Sequence, residues 1–262
     1  MGQKVVTFIL AGGKGERLHP LTKDRAKPAV PFGGIYRIID ITLSNCVNSG
    51  LRKIHTLIQY KSISLQRHIR LGWNLFNSEL GEYIDVIPAQ QRVGSNWYQG
   101  TADAIFQNIY TIEQEKPDEV LILAGDHIYK MNYYAMIDFH RQNNADMTVA
   151  VVELEKDLSK GLGVIQTDGT KKVLGFQEKP AEPKSDYAVT GLYIYDKTVV
   201  EKTKNLAPSE RGELEITDLN NVYLKEGSLD VAFVKGHWFD TGTFESMYEA
   251  ITFVRGRELA NQ

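Results

Sequence analysis

The residues best able to do chemistry gather first at the amino-terminal end. Residues 8 to 32 read FILAGGKGERLHPLTKDRAKPAVPF, so that Gly12, Gly13 and Gly15 share a short segment with Lys14, Arg17, Arg25 and Lys27. Glycines let a backbone approach a ligand closely, and a concave run of N–H groups suits phosphate oxygens. Four cations beside such a nest suit a polyphosphate. The stretch matches neither common nucleotide fingerprint: Leu18 stands where a dinucleotide turn needs Gly or Ala, and no G-K-[ST] follows. A glycine-rich turn with solvated charges is the plainer reading, and the density of cations after an apolar run argues against it.

Two carboxylates add a second kind of chemistry. Asp126 follows the apolar run of LILAGDHIY, a buried central strand whose end would present the side chain. Asp240 lies in GHWFDTGTFES, between aromatics and the start of the last helix, where it could equally be an N-cap. Together they could hold Mg²⁺, an ion that prefers oxygen ligands and joins one or two carboxylates to substrate phosphates. FQEKP, residues 176–180, carries adjacent opposite charges at a strand end, a pattern more often found in solvated loops than in sites. NWYQGTADAI, residues 96–105, puts Gly100, Thr101 and Asp103 at the start of a helix whose N-terminus could face a ligand, with Trp97 and Tyr98 packing on a base, on a sugar or in the core. The six histidines show no metal-ligand spacing, which argues against zinc, and no G-x-S-x-G elbow supports a hydrolase triad.

The elements that must position these groups follow from periodicity. Apolar runs closed by turn residues alternate with helical stretches: VVTFILAG then 39–49, KIHTLIQY then 62–76, EVLILAGD then 133–143. That alternation predicts an α/β fold, with a Rossmann-like, mostly parallel central sheet flanked by helices. The loops after the first and third runs should open onto one crevice, since ligands of open α/β sheets bind outside the carboxyl ends of the strands. Beyond residue 145 the runs MTVAVVEL, GVIQTDG, KVLGFQEK and AVTGLYIYD predict strands with few helices between them, a β-rich extension of mixed pairing. TDG at 167–169 predicts a hairpin, 179–186 a polar loop, and Thr243 to Gly256 the last helix.

Composition bounds the function classes. A formal charge of −3 gives no basic excess of the kind that wraps nucleic acid. Cys46 is the only cysteine, so no intramolecular disulfide forms and a reducing compartment, the cytoplasm, is expected. The run Val5 to Ala11 is too short for a signal peptide, and no apolar stretch approaches the roughly 18 residues a membrane span needs, so no membrane association is expected.

LAGGKGERLHPLTKDRAKPAVPF, then LAGDHIY, EKP and DTGT, resemble the sugar-1-phosphate nucleotidylyltransferases over nearly the whole chain. Residues 8 to about 150, with RAKPAVPFGG, NWYQGTADAI and ILAGDHIYKMNY, are similar to the glucose-1-phosphate adenylyltransferase branch. From about 187, YAVTGLYIYD, SERGELEITDLNNVYL and WFDTGTFESMYEA look more like the glucose-1-phosphate thymidylyltransferase branch. Such a mosaic fits an engineered chimera, a reconstruction or a natural intermediate. The resemblance implies a single nucleotidyltransferase domain over 1–262, with about 1–145 binding nucleotide and about 146–262 binding sugar. It also implies that the C-terminal β-helix domain of adenylyltransferases is missing.

The implied reaction joins a nucleoside triphosphate to glucose 1-phosphate, with ATP the first expectation and dTTP the second. The resemblance implies roles for individual residues. Leu10, Ala11, Gly12, Gly13, Gly15, Gln90, Gly100 and Asp103 would bind nucleotide; Arg17, Lys27 and Asp126 would be catalytic; Asp126 and Asp240 would hold Mg²⁺. Tyr98, Gly163, Glu178, Lys179, Thr190 and Tyr193 would line the sugar-phosphate pocket. The expected assembly is a homo-dimer or tetramer. The reading from another class is a catalytically silent subunit that binds nucleotide sugars, which should lack Arg17, Lys27 or one of the aspartates; all are present.

Overall fold

The computed structural model describes residues 4–90, 96–154, 159, 161–168 and 172–260. Two compact units interleave along the chain. One comprises Met1–Val6, Gln90–Ile122 and Tyr134–Lys235; the other comprises Thr7–Ala89, Leu123–Tyr133 and Gly236–Gln262.

In the second unit β1 (Val5–Leu10) contributes Thr7 to Leu10, and these pair in parallel with β4 (Lys53–Ile58). β4 pairs in parallel with β5 (Tyr83–Pro88). β1 and β4 are mostly buried and rich in apolar and β-branched side chains, as covered strands require, whereas β5 ends the sheet order, is only partly buried and exposes Asp85. Short strands β2 (Pro31–Phe32) and β3 (Tyr36–Arg37) form a ladder that leads into helix α1 (Ile38–Asn48). Helix α2 spans Ile63–Gly72. The third segment supplies β13 (Trp238–Asp240), antiparallel to β7 (His127–Tyr129), and helix α8 (Phe244–Ala260). Leu18, Val30, Phe32, Ile38, Ile128, Met247 and Ala250 pack in one cluster. The glycine-rich loop, α1, β7 and α8 therefore share a core, and burial of side chains this size is worth about 1.5–3 kcal/mol each.

The first unit holds a mixed sheet. β8 (Met147–Glu153) runs antiparallel to β11 (Tyr187–Asp196) and parallel to β12 (Leu229–Phe233). β9 (Val164–Thr167) and β10 (Val173–Gln177) form an antiparallel pair, and the order β10, β9, β11 continues to β6 (Glu119–Ala124). Helices α3 (Thr101–Phe106), α4 (Ile109–Glu115), α5 (Tyr133–Gln142), α6 (Val199–Lys204) and α7 (Ile216–Glu226) complete the described elements. A buried ion pair between Glu119 of β6 and Arg141 of α5, at 2.6 and 2.7 Å, fastens helix to strand.

The parallel sheet, the mixed extension and the helices near 39–49, 62–76, 133–143 and 243–256 all match expectation within a few residues. The hairpin expected at TDG forms between β9 and β10, with Lys172 N–H donating to Asp168 Oδ1 at 3.0 Å; Gly169 itself lies outside the described residues. The region after 145 is richer in helix than its sequence suggests, because α6 and α7 follow charged stretches that mask their apolar faces. Among the described residues no helix is long and apolar enough to cross a membrane.

Candidate active site

The glycine-rich loop begins where β1 ends, with Ala11 N–H donating to the Leu57 carbonyl at 2.9 Å. Gly12 lies against Gln59, whose Cγ would stand 2.9 Å from any added Cβ, while nothing stands within 4 Å of the same position on Gly13. Gly15 has φ +68°, a left-handed conformation favouring glycine, and a Cβ there would meet Lys27 and Thr22 at 2.9 Å. Thr22 Oγ1 donates to the Gly15 carbonyl at 2.8 Å and Lys27 N–H to that of Gly13 at 3.5 Å. The loop is thus folded back so that Lys27 lies beneath its glycines.

Lys27 is the pivot of the arrangement. It opens a one-turn 3-10 helix, Lys27–Ala29, and its side chain is 8% exposed. Its Nζ lies 2.8 Å from Asp126 Oδ2 and 2.9 Å from Asp240 Oδ1. Asp126 comes from the turn between β6 and β7, and Asp240 ends β13. The β7–β13 ladder sets Asp240 opposite His127, which is how residues far apart in sequence meet. Thr241, fully buried, donates to the Asp126 carbonyl at 2.7 Å and fixes that turn from the other side. Asp240 is not an N-cap: helix α8 is closed by Thr243, whose Oγ1 accepts from Ser246 N–H at 3.2 Å.

Electrostatics reinforces the geometry. Burial disfavours charge on Lys27, but Asp126 and Asp240 outweigh it and hold the ammonium above its ordinary range. Burial likewise opposes ionisation of Asp126, and Lys27 with His127 overcomes it, pulling the carboxyl down to about 2. Arg17 is exposed, with Nη2 3.8 Å from Asp240 Oδ2. Gly242 makes that approach possible, since a Cβ would sit 2.6 Å from Arg17 Nη2 and 2.7 Å from Asp240 Oδ2.

Asp126, His127 and Asp240 offer three ligand atoms within 4.8 Å of one another, a group able to hold a metal ion. The carboxylate oxygens of Asp126 and Asp240 are the donors a hard divalent ion prefers, although the Lys27 ammonium stands between them here; the imidazole nitrogen of His127 adds a softer donor. Sequence reading passed over His127 because its ligand partners are spatial rather than sequential neighbours.

The residues expected around the sugar belong to the first unit. Glu178 and Lys179 pair at 2.8 Å, and Lys179 holds φ +45° with its N–H on the Leu162 carbonyl at 3.1 Å. Gly163 leaves room for Glu178, whose Oε2 would lie 3.5 Å from an added Cβ. Thr190 and Tyr193 are buried on β11, where pairing with β8 shifts register between Val189 and Tyr193. Thr190 Oγ1 donates to the Ala150 carbonyl at 3.0 Å, and burial together with the Glu178 charge pushes the Tyr193 phenol up.

Next to Glu178 opens a cavity of 510 Å³ walled by Phe176, Glu178, Arg211, Glu215, Thr217 and Asp218 among others. Sequence reasoning assigned Glu178 alone of these; the adjacent charges of SERGELE resemble a solvated loop.

Of the remaining expected residues, Tyr98, Gly100 and Asp103 make internal contacts. Asp103 is buried and its Oδ2 accepts from Gln99 N–H and Gln107 Nε2, each at 2.7 Å. Tyr98 OH accepts from Asn108 Nδ2 at 3.0 Å. Gly100 has φ +110°, and a Cβ there would stand 2.3 Å from the Leu214 carbonyl oxygen. That oxygen accepts from Ala102 N–H at 2.9 Å, so the start of α3 is engaged by the chain itself. Gln90 is exposed just beyond β5.

The nucleotidyl transferase family model matches residues 6–257, taking in the glycine-rich loop, both aspartates and most of the last helix. The chain belongs to that family. It is 45% identical over 278 residues to a glucose-1-phosphate adenylyltransferase of Rhodopirellula baltica, covering 95% of this chain and 60% of the relative. A glucose-1-phosphate adenylyltransferase of Koribacter versatilis is 46% identical, covering 92% and 62%. The chain therefore spans about three fifths of the length of these relatives. Among solved structures, a Bacillus anthracis protein described as a glucose-1-phosphate thymidylyltransferase in complex with sucrose superposes with a TM-score of 0.80 at 30% identity, covering 96% of this chain and 95% of that one. Both branches suggested by the sequence are thus represented among its relatives.

Proposed function

We propose that the chain transfers the adenylyl group of ATP to glucose 1-phosphate, releasing pyrophosphate and forming ADP-glucose. The observation that carries this reading is the Lys27 ammonium bridging Asp126 and Asp240 beneath the glycine-rich loop, in a chain 42–46% identical to adenylyltransferases. The sugar phosphate oxygen attacks the α-phosphorus in line; its P–O bond forms as the bond to the β-phosphate oxygen breaks, and pyrophosphate carries away the electron pair. Positioning and charge stabilisation supply most of the rate in such transfers.

Within the second unit, Leu10, Ala11 and the N–H groups of Gly12, Gly13 and Gly15 take the base and triphosphate. Arg17 stabilises the leaving pyrophosphate and Lys27 the α-phosphate. Asp126 and Asp240 would hold Mg²⁺, which neutralises charge on the phosphate oxygens when bound. Within the first unit, Glu178 accepts from sugar hydroxyls and Lys179 contacts the sugar phosphate, with Gly163, Thr190 and Tyr193 shaping the pocket. Tyr98, Gly100 and Asp103 support it by holding the 99–103 turn, and Gln90 contributes to base contact. The reading includes a cytoplasmic homo-oligomer, dimer or tetramer.

dTTP is the second reading, favoured by the 0.80 TM-score to the thymidylyltransferase-described structure. Pyrophosphate release from glucose 1-phosphate with ATP, dTTP, UTP, CTP and GTP in parallel tests both. ATP should be turned over fastest. A dTTP preference reverses the choice of base, and binding without turnover by any triphosphate replaces the enzyme with a nucleotide-sugar-binding subunit.

A further inference from the structure

We propose that Glu215 is a positioning residue of the sugar pocket, acting by fixing the Arg211 guanidinium at the wall of the 510 Å³ cavity. The inference rests on the proposed sugar-phosphate reading of that cavity, and four observations carry it.

Glu215 is 3% exposed, yet its location is unfavourable for a carboxylate because Glu178 and Asp218 line the same cavity. The compensating charge is Arg211, with Nη1 3.0 Å from Glu215 Oε1. Arg211 is the only cationic side chain among the described residues lining the cavity.

An ordinary structural role for Glu215 is helix capping, since it occupies the N-cap position of α7. Its side chain makes no capping hydrogen bond. The carboxylate is directed to Arg211 instead.

The backbone on both sides of Glu215 is pinned. Leu214 N–H donates to the Gln99 carbonyl at 2.9 Å, and Ile216 N–H to Thr101 Oγ1 at 3.1 Å. The Gly100 turn thus holds Glu215 at a fixed point, while Arg211 rides on a self-contained turn in which Gly212 N–H bonds the Ser209 carbonyl and Ser209 N–H that of Glu213, each at 2.8 Å.

The rival partner is weaker. Glu213 Oε2 lies 3.6 Å from Arg211 Nη2, and its side chain is 40% exposed, where water screens the pair. Arg211 is itself half exposed in both pairs, so what separates its two partners is that Glu215 is buried and makes the shorter, charge-assisted bond.

The chemistry this sets up is recognition of a polyhydroxylated anion: carboxylates for hydroxyl donors, and one oriented guanidinium for the anionic group. Removing the orienting charge leaves Arg211 present but free to swing, which should weaken anion contact about tenfold.

The test compares Glu215→Gln, Arg211→Ala and the double variant. Calorimetry reads glucose 1-phosphate affinity, and pyrophosphate release reads KM for glucose 1-phosphate and for ATP. Expected is an approximately tenfold loss for glucose 1-phosphate in E215Q, no change in KM for ATP, and a double variant no worse than R211A alone, since coupled residues are non-additive. Glu213→Gln should change little. Unchanged glucose 1-phosphate affinity in E215Q, equal losses for both substrates, or additive losses in the double variant would each overturn the proposal. If E215Q fails to fold, Glu215→Asp, which keeps the charge but withdraws it by one methylene, must show the same selective loss. Wild-type binding of glucose 1-phosphate without turnover leaves the proposal standing while the enzymatic reading falls; no binding at all removes both.

Discussion

Asp240 faces His127 directly across the β7–β13 ladder, and this register is what sets the Asp240 carboxylate beside that of Asp126. Lys27 then joins the two at 2.8 and 2.9 Å. Consequences for activity and stability separate cleanly at this point.

Replacing Lys27 by Ala should reduce pyrophosphate release by about two to four orders of magnitude, the range for losing a preorganised charge at a reacting phosphate. It should also destabilise the protein by about 1–2 kcal/mol, because two half-buried carboxylates lose their shared counter-charge. Steady-state kinetics and urea unfolding measure the two effects. Full activity in a folded K27A protein would remove Lys27 from the mechanism.

The Asp126 carboxyl is drawn down to about 2, so the folded chain binds that proton less well than the unfolded chain, whose value is near 3.8. The sign follows: the stabilisation is fully present above roughly pH 5 and disappears as pH falls through about 2. It is on the order of 1–2 kcal/mol. Asp126→Asn should flatten this part of the stability profile measured by urea midpoints between pH 5 and 3, while abolishing turnover.

Gly242 and Gly100 should respond differently to alanine. At Gly242 the new methyl meets the mobile end of Arg17 but also the Asp240 carboxylate at 2.7 Å, so activity should fall at least tenfold with a modest change in Tm. At Gly100 it meets backbone at 2.3 Å with φ +110°, so G100A should lose about 2 kcal/mol or more. Thermal unfolding of both variants beside an activity measurement distinguishes them; a Tm of G100A equal to that of the parent would contradict the packing described.

The Glu119–Arg141 pair offers a prediction away from the site. Glu119 is 5% exposed and Arg141 24%, so removing the arginine strands a buried charge, whereas removing the glutamate leaves a cation that can reach water. R141A should cost about 3 kcal/mol and E119A about half of that, measured by chemical unfolding.

Much of this architecture was legible because its signals are local. β1, β4 and β6 are mostly apolar runs closed by turn residues, and the loop after β1 stands out through its glycines and cations alone. Asp126 and Asp240 could be nominated singly, but their meeting depends on three-residue strands too short for any periodic signal. The same is true of His127. Glu215 and Arg211 were hidden because burial cannot be read from a charged run: SERGELE has the composition of a solvated loop, and only the Gly100 turn draws Glu215 inward. At Asp103 the structure adds what no local pattern announces, since its Oδ2 accepts from both Gln99 N–H and Gln107 Nε2.

The contact between Gly100 and the Leu214 carbonyl has an evolutionary reading as well. Where one backbone rests on another with no space for a methyl group, the glycine is tied in place, while the residue it meets through backbone atoms alone can change its side chain. The Ser209–Glu213 turn just upstream closes on its own hydrogen bonds and is spared that tie. Variation in the family should therefore accumulate at the positions of that turn other than Arg211 and stop at Gly100, so that lineages can recut the wall of the 510 Å³ cavity while inheriting the contact on which it stands.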